Sequence, residues 1–410
     1  MIGLVGYNIG YSFSPIIHNY LGYDYEIFDL DASEFDEFML MRNFKAINVT
    51  IPYKEAVIPY LDELHSSAKE LGVVNTVVNK DGYLIGYNTD TAGFDFALKY
   101  NQVEIKDKQV LILGTGATAE SIKASLIKYA PSKIQMIGRT TPVNYTNLEP
   151  VSSSNIIINT SPIGVYPNTD QSLLDLSVFK HLETVIDVIY NPLNSLLISQ
   201  AKALNIKAYG GLLMLVAQAV FAAEYFFDKN YDQNIIADTY HQVIKDKENI
   251  VLIGMPTSGK TSLGIILAET LNLKFYDVDQ EIEKRAEMEI ATIFAKYGET
   301  YFRQLEKEVI LDLSKLHSVI IATGGGSVLD PANLDYLRMN GRLFLLDRSL
   351  ANLKYSSDRP LNSSIEQLEK LYYERKDIYQ KAADVIVDNN QSLAITLEKI
   401  IEVSNEDTNY

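Results

Sequence analysis

The chain has 410 residues, more than one hydrophobic core usually organises, so two or three domains are expected. Hydrophobic residues make up 47% and charged residues 22%, which is typical of soluble globular domains, and no apolar stretch is long enough to span a membrane. The sequence contains no Cys, which excludes disulfides and thiolate metal sites, and its formal net charge of -17 argues against a nucleic-acid partner. The N-terminal segment is apolar and has no basic leader, so we expect a cytoplasmic protein. We also expect small-molecule substrates and no obligate protein partner.

Hydroxyl, amide and carboxylate groups are concentrated near turns and strand ends in the first quarter of the chain. They are Ser12, Ser14, Asn48, Thr50, Asn75 and Asp90, with residues 45–50 read as a strand. Turns and helix caps also use these residue types, but together they match the hydroxyls and carboxylate of a small polyol acid. Lys54 and Asp90 form the sharper hypothesis, because a lysine held by a carboxylate can protonate the alkoxide formed when hydride reaches a carbonyl.

A strand followed by a glycine loop indicates a dinucleotide site. Residues 109–113 form the apolar strand, and the pattern G-x-G-x-x-A at 114–119 follows it, a signal that is weak by itself. The next strand, 134–137, leads to Arg139, where an NAD site would carry an acid for the ribose hydroxyls. An arginine there favours the 2′-phosphate of NADP, and the alternative is a surface arginine that caps the strand.

Further strands and helices follow this loop. Residues 155–158 and 184–187 read as strands of the same sheet. Residues 214–228 are apolar with few helix breakers and read as a buried helix, and 235–245 as another. The polar segment 245–248 is the expected seam between two halves.

A second strand and glycine loop, at 249–253 and 254–261, matches the phosphate-loop pattern G-x-x-x-x-G-K-S/T. Its glycines let successive backbone N–H groups wrap phosphate oxygens at a helix N-terminus. Lys260 is placed to neutralise the β- and γ-phosphates of a nucleotide, and the Thr261 hydroxyl to reach Mg²⁺. The alternative is a plain glycine turn, which the position between a strand and a helix disfavours.

Carboxylates suited to a phosphoryl acceptor come next. Asp277 and Asp279 follow a strand at 274–276, where one acid can hold Mg²⁺ and the other can orient or deprotonate a hydroxyl. The alternative for Asp279 is an ordinary helix N-cap. Arg303 and Glu306 lie one helical turn apart, a spacing that by itself most often indicates a solvated ion pair.

Glycines and two arginines complete this half. A strand at 319–323 ends in three glycines at 324–326, where backbone can approach a ligand without side-chain obstruction. Arg359 lies in a polar stretch suited to a mobile lid, and Arg375 lies on the helix that follows.

Residues 249–410 resemble shikimate kinase. The matching features are the phosphate loop, Asp277-x-Asp279, Phe302-Arg303-x-x-Glu306, the triple glycine, Arg359-Pro360-Leu361, Arg375, Tyr379 and Ala382-Ala383-Asp384. The resemblance implies shikimate contacts at Asp279, Arg303, Gly325, Gly326 and Arg375. It implies ATP contacts at Gly254, Ser258, Gly259, Lys260, Thr261 and Ser262, and Mg²⁺ ligands at Thr261 and Asp277.

The implied catalytic residues of this half are Lys260, Asp279 and Arg359. By the resemblance, Arg359 closes from the lid onto the transferring phosphoryl group, where a cation stabilises developing charge. One departure is the pair Thr257-Ser258, in a loop that usually carries an additional glycine.

Residues 1–245 resemble shikimate dehydrogenase. The matching features are Ser12-x-Ser14-Pro15-x-x-His18-Asn19, Asn48-Val49-Thr50-x-Pro52-x-Lys54, Asn88-Thr89-Asp90, Asn159-Thr160-Ser161-Pro162-x-Gly164, Asp187-x-x-Tyr190-Asn191-Pro192 and Gly210-Gly211-Leu212-x-Met214-Leu215-x-x-Gln218-Ala219. The resemblance implies catalytic roles for Lys54 and Asp90. It implies substrate contacts at Ser12, Ser14, Asn48, Thr50, Lys54, Asn75, Asp90, Tyr190 and Gln218, and NADP(H) contacts at Gly114, Gly116, Ala117, Arg139, Thr140 and Gly211.

The NADP segment departs from the pattern of that family. Gly138 stands where the family usually has Asn, and Val143 stands where a second basic residue is usual. Glu120, close to the glycine loop, would oppose a pyrophosphate if it pointed inward. NADP remains the predicted cofactor, with weaker binding or relaxed choice between NAD and NADP as the alternative.

We therefore predict an α/β protein: a shikimate-dehydrogenase-like substrate domain at 1–92 completed by 210–245, a Rossmann domain at 93–209, and a P-loop kinase domain with a parallel five-stranded sheet at 249–410. The predicted reactions are NADPH-dependent reduction of 3-dehydroshikimate to shikimate and ATP-dependent phosphorylation of shikimate. Quinate oxidation in the first half, another acceptor in the second, or a non-catalytic sensor built from the same domains are the alternatives. Retention of the catalytic residues Lys54 and Lys260 argues against the sensor.

Overall fold

The computed structural model describes residues 1–353 and 365–405. Within this part of the chain, contacts between residues divide the protein into two compact units. The first comprises Met1–Asn191 and Gln200–Val243, and the second comprises Pro192–Ser199 and the described residues from Ile244 onward.

The first unit begins with a six-stranded mixed sheet. Its strands are β1 (Ile2–Gly6), β2 (Glu26–Asp29), β3 (Ala46–Val49), β4 (Glu63–Leu64), β5 (Thr76–Lys80) and β6 (Tyr83–Tyr87), in the order β2-β1-β3-β5-β6-β4. Side chains alternate along each strand, so Val5 and Ile47 pack into one apolar cluster while Leu4 packs into another on the opposite face. Phe226 joins the second cluster. The chain therefore returns to this sheet long after leaving it.

The second sheet of this unit has five parallel strands. They are β7 (Gln109–Leu113), β8 (Lys133–Ile137), β9 (Ile156–Asn159), β10 (Thr184–Asp187) and β11 (Lys207–Tyr209), in the order β11-β10-β9-β7-β8. The direction of strand addition reverses at β7, which lies between β8 and β9. In open α/β sheets such a reversal opens a crevice at the carboxyl ends of the strands, where ligands bind.

The second unit is built on another parallel five-stranded sheet, as the sequence predicted. Its strands are β12 (Asn249–Ile253), β13 (Lys274–Asp277), β14 (Val319–Ala322), β15 (Gly341–Asp347) and β16 (Val385–Asp388), in the order β13-β14-β12-β15-β16. Strand β12 is apolar from Ile250 to Ile253 because both of its faces are covered. Val251 and Ile253 pack into one cluster and Ile250 and Leu252 into another.

Helices cover the faces of these sheets. In chain order they are α1 (Ser14–Tyr20), α2 (Ala32–Met41), α3 (Ser66–Lys69), α4 (Asp90–Tyr100), α5 (Ala117–Ile127), α6 (Leu196–Ala203), α7 (Leu212–Phe227), α8 (Asn234–Lys247), α9 (Lys260–Leu271), α10 (Val278–Ala286), α11 (Ile290–Ser314), α12 (Pro331–Asn340), α13 (Ile365–Ala382) and α14 (Leu393–Asn405). Helix α8 occupies most of the predicted seam at 245–248, and β12 begins at Asn249. Among the described helices, none combines the length and apolar character of a membrane span.

Candidate active sites

The first unit contains a cavity of about 190 Å³ that opens to the surface. Every side chain predicted as a substrate contact of the first half lines it: Ser12, Ser14, Asn48, Thr50, Lys54, Asn75, Asp90, Tyr190 and Gln218. Gly211, predicted as a cofactor contact, lines it as well. Tyr11 and Thr118 also line it without having been predicted as contacts, because a lone aromatic or hydroxyl carries no sequence signal for a site. Met214, which belonged to a matching motif without a role, lines it as well.

Lys54 and Asp90 form a direct ion pair in this cavity. Lys54 Nζ lies 2.6 Å from Asp90 Oδ2, and the two side chains are 12% and 8% exposed. Among the described residues that line the cavity, Lys54 and Asp90 are the charged ones. The pair can hold an ammonium group against a carbonyl oxygen in a site with little water.

Amide groups hold the second oxygen of Asp90. Asn75 Nδ2 donates a hydrogen bond to Asp90 Oδ1 at 2.8 Å. Gln218 reaches the same amide from α7, with its Oε1 3.4 Å from Asn75 Nδ2. Both carboxylate oxygens of Asp90 are therefore engaged, and the carboxylate is fixed where Lys54 meets it.

Two tyrosines are the other titratable groups of the cavity wall. Burial raises the pKa of Tyr190 to about 12 and also raises the pKa of Tyr11. Both phenols therefore stay protonated near neutral pH and act as hydrogen-bonding groups. Ser12 and Ser14 present hydroxyls beside them, 3.1 Å from each other.

The glycine loop after β7 is shaped to admit a phosphate group. Gly114 has a φ of 122°, which favours glycine, and a Cβ there would collide with Thr160 Oγ1. A Cβ on Gly116 would meet nothing within 4 Å, so the loop is open beside the N-terminus of α5. Helix N-termini bind anions through their free N–H groups, and the loop thus fits the pyrophosphate of a dinucleotide.

The segment after β8 carries the predicted NADP contacts Arg139 and Thr140, both exposed. The departure at Gly138 has a packing reason, because a Cβ there would lie 3.1 Å from Thr115 Cγ2. Glu120 is exposed and pairs with Lys123 one turn further along α5, at 3.4 Å. Its carboxylate is thus directed toward Lys123 and does not point inward.

The phosphate loop of the second unit has the strained backbone that the pattern requires. Gly254 and Gly259 have φ values of 141° and 97°. Thr257 adopts a φ of 63°, a left-handed conformation that costs a residue with a Cβ about 1–2 kcal/mol. Thr257 belongs to the pair Thr257-Ser258, which stands in a loop where the family usually has an additional glycine. The chain therefore keeps a backbone conformation typical of glycine at a threonine.

Buried polar groups inside that loop fit a bound phosphate. Lys260 is 7% exposed, and its Nζ donates to the backbone oxygens of Gly254 and Met255, both at 2.9 Å. Ser258 Oγ is buried and has no hydrogen-bond partner within the described part of the chain. A buried ammonium and an unpaired hydroxyl at a helix N-terminus are what a nucleotide phosphate would satisfy.

A hydroxyl and a carboxylate next to this loop fit Mg²⁺. Thr261 Oγ1 donates to Asp277 Oδ2 at 2.7 Å, and oxygen ligands of this kind are those that Mg²⁺ prefers. The alternative that made Asp279 the helix cap was wrong. Asp277 caps α10 by accepting from the N–H of Asp279, which itself lies in the first turn.

The predicted acceptor residues converge on the triple glycine after β14. Arg375 Nη1 donates to the backbone oxygen of Gly325 at 2.8 Å. A Cβ on Gly326 would lie 2.6 Å from Arg303 Nη1, and one on Gly324 would lie 2.7 Å from Asp279 Oδ1. Glycine at these two positions therefore leaves room for the side chains of Arg303 and Asp279.

The same turn packs against the phosphate loop. A Cβ on Gly325 would lie 2.8 Å from Pro256 Cγ. The structure therefore brings the predicted acceptor residues and the predicted nucleotide loop next to each other. Arg359, the predicted lid residue, lies outside the described residues.

Arg303 is held by a buried carboxylate, so the alternative of a solvated ion pair with Glu306, which the i,i+3 spacing alone favoured, was wrong. Arg303 Nη1 lies 2.7 Å from Glu306 Oε2, and the Glu306 side chain is only 1% exposed. Ser327 donates to the other oxygen of Glu306 at 2.7 Å. Glu306 is thus a fixed anchor that orients the guanidinium beside Gly326.

Two supporting residues of this site were not predicted. Asn389 Nδ2 donates to the backbone oxygen of Ser258 at 2.5 Å, across 131 residues of sequence. Tyr379 donates to the backbone oxygen of Gly325, and burial raises the pKa of its phenol to about 12. Tyr379 belonged to a matching motif without a role, while no local pattern relates Asn389 to the loop.

Two families match separate parts of this chain. The family described as shikimate dehydrogenase substrate binding domain matches residues 4–77, and the family described as shikimate kinase matches residues 256–405. The shikimate dehydrogenase (NADP(+)) of Clostridium beijerinckii is 33% identical over 258 residues, which cover 58% of this chain and 96% of that enzyme.

Solved structures agree for the first half. A chorismate mutase/shikimate 5-dehydrogenase fusion protein from Clostridium acetobutylicum is 29% identical with a TM-score of 0.55, covering 59% of this chain and 96% of that one. Shikimate 5-dehydrogenase from Thermus thermophilus, solved with NADP(H) and shikimate, is 26% identical with a TM-score of 0.53, covering 59% of this chain and 98% of that one.

Proposed function

The chain belongs to the shikimate dehydrogenase family and carries a shikimate kinase domain after it, and from that premise we propose that it performs two consecutive reactions. The first half reduces 3-dehydroshikimate to shikimate with NADPH. The second half phosphorylates shikimate to shikimate 3-phosphate with ATP and Mg²⁺. The observation that carries the proposal is the pairing of two sites: a Lys54–Asp90 cavity with all predicted substrate contacts, and a phosphate loop packed against the acceptor cluster.

In the reductase site, bound NADPH supplies the hydride. Lys54 gives a proton to the carbonyl oxygen of 3-dehydroshikimate as the C–H bond forms, and Asp90 holds the ammonium in place through its 2.6 Å contact. Asn48, Thr50 and the serines bind the ring hydroxyls and carboxylate. Lys54 and Asp90 are only 12% and 8% exposed, which limits the water around the reacting carbonyl.

In the kinase site, ATP with Mg²⁺ supplies the phosphoryl group. Lys260 and the loop N–H groups bind its phosphates, while Thr261 and Asp277 hold the metal. Asp279 accepts the proton of the shikimate hydroxyl that is phosphorylated. Arg303 and Arg375 bind the substrate carboxylate as paired cations.

We further propose that the protein acts in the cytoplasm without an obligate protein, membrane or nucleic-acid partner. The composition and the net charge of -17 support this assignment. Because both sites belong to one chain, they are made in equal number, and the shikimate formed at the first is the acceptor at the second.

A paired assay on the purified chain tests this function. One arm follows shikimate-dependent reduction of NADP⁺, and the other follows shikimate-dependent ADP formation with identification of the phosphorylated product by mass spectrometry. Quinate replaces shikimate as the specificity control, and a chelator of Mg²⁺ should stop only the second arm. Turnover of quinate in preference to shikimate, or absence of either shikimate-dependent reaction, would contradict the assignment.

Replacing Arg139 with glutamine should weaken the binding of NADP⁺ more than the binding of NAD⁺. Arg139 is exposed at the strand end next to the glycine loop, and a second basic residue is absent at Val143, so the 2′-phosphate depends on one cation. Loss of a charge-assisted hydrogen bond of about 1.5–3 kcal/mol predicts a roughly tenfold to hundredfold rise in KM for NADP⁺. The measurement is KM for both cofactors in parent and variant, and an equal change for the two would refute a 2′-phosphate role.

Replacing Gly326 with alanine should impair only the kinase reaction. The added Cβ would lie 2.6 Å from Arg303 Nη1 and displace the guanidinium from the acceptor cluster. We expect KM for shikimate in phosphorylation to rise about tenfold or more, since displaced binding groups of this kind are costly. The dehydrogenase reaction of the same chain uses the same ring acid and serves as the control, so an effect on both reactions would argue against the assignment.

A further inference from the structure

A series of hydrogen bonds leads from Tyr25 to the Lys54–Asp90 pair. Tyr25 donates to Asn48 Oδ1 at 2.7 Å. Asn48 Nδ2 donates to Thr76 Oγ1 at 3.0 Å, and the Thr76 hydroxyl donates to Asn75 Oδ1 at 2.9 Å. Asn75 then donates to Asp90 Oδ1 at 2.8 Å, so every donor is directed toward the carboxylate.

This chain of hydrogen bonds is shielded from solvent. Asn48, Asn75 and Asp90 are 4%, 3% and 5% exposed, and Thr76 is 0% exposed. Water therefore does not replace a missing hydroxyl at Thr76 without a rearrangement of its neighbours. In such an environment each hydrogen bond is stronger than in water, and an unpaired group is costly.

Thr76 occupies the junction between two amides. A hydroxyl both accepts and donates, so it meets the N–H of Asn48 on one side and the oxygen of Asn75 on the other. The two strands make this possible, because β3 and β5 are antiparallel and their register places Thr76 directly opposite Asn48. The backbone N–H of Thr89 supports the same orientation of Asn75 by donating to its Oδ1 at 2.8 Å.

The orientation of Asn75 decides what Asp90 meets. With the observed orientation, Asn75 offers an N–H to the carboxylate. With the amide reversed, its oxygen would face Asp90 Oδ1, and two acceptors would repel each other. A loosened Asn75 would thus move the carboxylate that positions Lys54.

The start of the series stays uncharged near neutral pH. The Tyr25 ring stacks on His18 at 3.8 Å between ring centroids, and both side chains are buried. Burial raises the pKa of Tyr25 well above its usual value and lowers the pKa of His18 to about 3. Tyr25 therefore remains a donor. Tyr11 and Tyr190 are the other titratable groups of the cavity wall, and Lys54 and Asp90 are its charges.

We propose that Thr76 is a positioning residue of the reductase reaction, whose hydroxyl fixes the amides of Asn48 and Asn75 and through them the Lys54–Asp90 pair. The inference rests on the proposed function of the first half. Thr76 touches neither substrate nor cofactor in this role. It acts by keeping a catalytic carboxylate in one place.

Replacement of Thr76 with valine tests this role, because valine keeps the shape and removes the hydroxyl. We expect kcat for shikimate oxidation to fall roughly tenfold to a hundredfold, as for small displacements of catalytic groups, with KM for NADP⁺ unchanged. Thr76→Ser restores the hydroxyl and should return kcat toward the parent value. Tyr25→Phe keeps the stacked ring and removes the first donor, so it should lower kcat in the same direction and provides a second test if Thr76→Val folds poorly.

Thr169→Val is the matched control. Thr169 is also fully buried in the first unit, but its hydroxyl has no hydrogen-bond partner within the described part of the chain, so the change should leave kcat unaltered. Because Thr76 and the kinase site lie in different compact units, thermal unfolding followed by circular dichroism reports the folding of the first unit in each variant, and the kinase reaction reports the amount of chain in the assay. If the parent is active while Thr76→Val keeps kcat within about twofold, or Thr76→Ser fails to restore it, the positioning role is overturned. A parent without shikimate-dependent NADP⁺ reduction would overturn the proposed function, and this inference with it.

Discussion

Replacement of Lys54 with alanine is expected to abolish shikimate-dependent NADP⁺ reduction and to leave shikimate-dependent ADP formation intact. Lys54 and Asp90 are the charged groups of the cavity wall in the described chain, and no second cation lines it to take over the proton transfer. A positioned acid or base contributes about 10²–10⁴-fold, and the fall in kcat should lie in this range. Steady-state assays of both reactions on the same preparation measure it.

Stability must be separated from chemistry in this variant. Removal of Lys54 leaves Asp90 in a buried site without its counter-charge, and breaking a buried pair costs about 3–5 kcal/mol. The double variant Lys54→Ala/Asp90→Asn removes both charges, so it should regain stability in thermal unfolding while remaining inactive. Lys108→Ala is the control, because its pair with Glu183 is 27% and 50% exposed and contributes little. Loss of phosphorylation in folded Lys54→Ala protein would contradict the division of labour.

Three buried parallel strands were predicted with the greatest accuracy. Residues 109–113, 184–187 and 249–253 have in the structure the bounds that the sequence indicated. Short runs rich in β-branched residues and buried on both faces leave little choice of structure, and a glycine directly after 109–113 and after 249–253 ends those two strands. Helix ends were less certain, since α7 begins at Leu212 and not at Met214.

Residues that act across the sheet were not predictable in the same way. The contact between Asn48 and Thr76 depends on the antiparallel register of β3 and β5, which no spacing along the chain reveals. The burial of Glu306 depends on its packing near Ser327, so the i,i+3 spacing with Arg303 alone pointed to the wrong environment. A helix cap was only the alternative for Asp279, and the backbone conformation makes Asp277 the cap of α10 instead.

The candidate sites themselves were predicted from several short motifs in order. A single G-x-G-x-x-A pattern is weak evidence for a dinucleotide site, but each additional motif narrows the range of ligands that fit the chain. The cavity of the first unit contains all the substrate contacts predicted for it, because Asn48, Thr50 and Tyr190 lie at or just after strand ends and α7 brings Gln218 to the same place. Their roles stay a prediction until the variants are measured.

Replacement of Lys260 with alanine is expected to abolish phosphorylation and to leave NADP⁺ reduction intact. Lys260 is 7% exposed, and its ammonium donates to two backbone oxygens of its own loop, so it is held next to the predicted place of the phosphates. Loss of one preorganised group that stabilises developing charge lowers kcat about a hundredfold to a thousandfold. ADP formation in the presence of shikimate and Mg²⁺ measures the effect.

A second measurement on Lys260→Ala separates binding from catalysis. Because the variant also loses the two hydrogen bonds that tie the ammonium to Gly254 and Met255, the loop can relax and weaken ATP binding, which calorimetric titration would detect. Saturating ATP would then restore the rate only if binding were the whole effect, whereas a catalytic role predicts a low kcat at saturation. Lys284→Ala, at a side chain 77% exposed in the same unit, should change neither quantity. Phosphorylation by Lys260→Ala within a few-fold of the parent would show that this loop is not the nucleotide site.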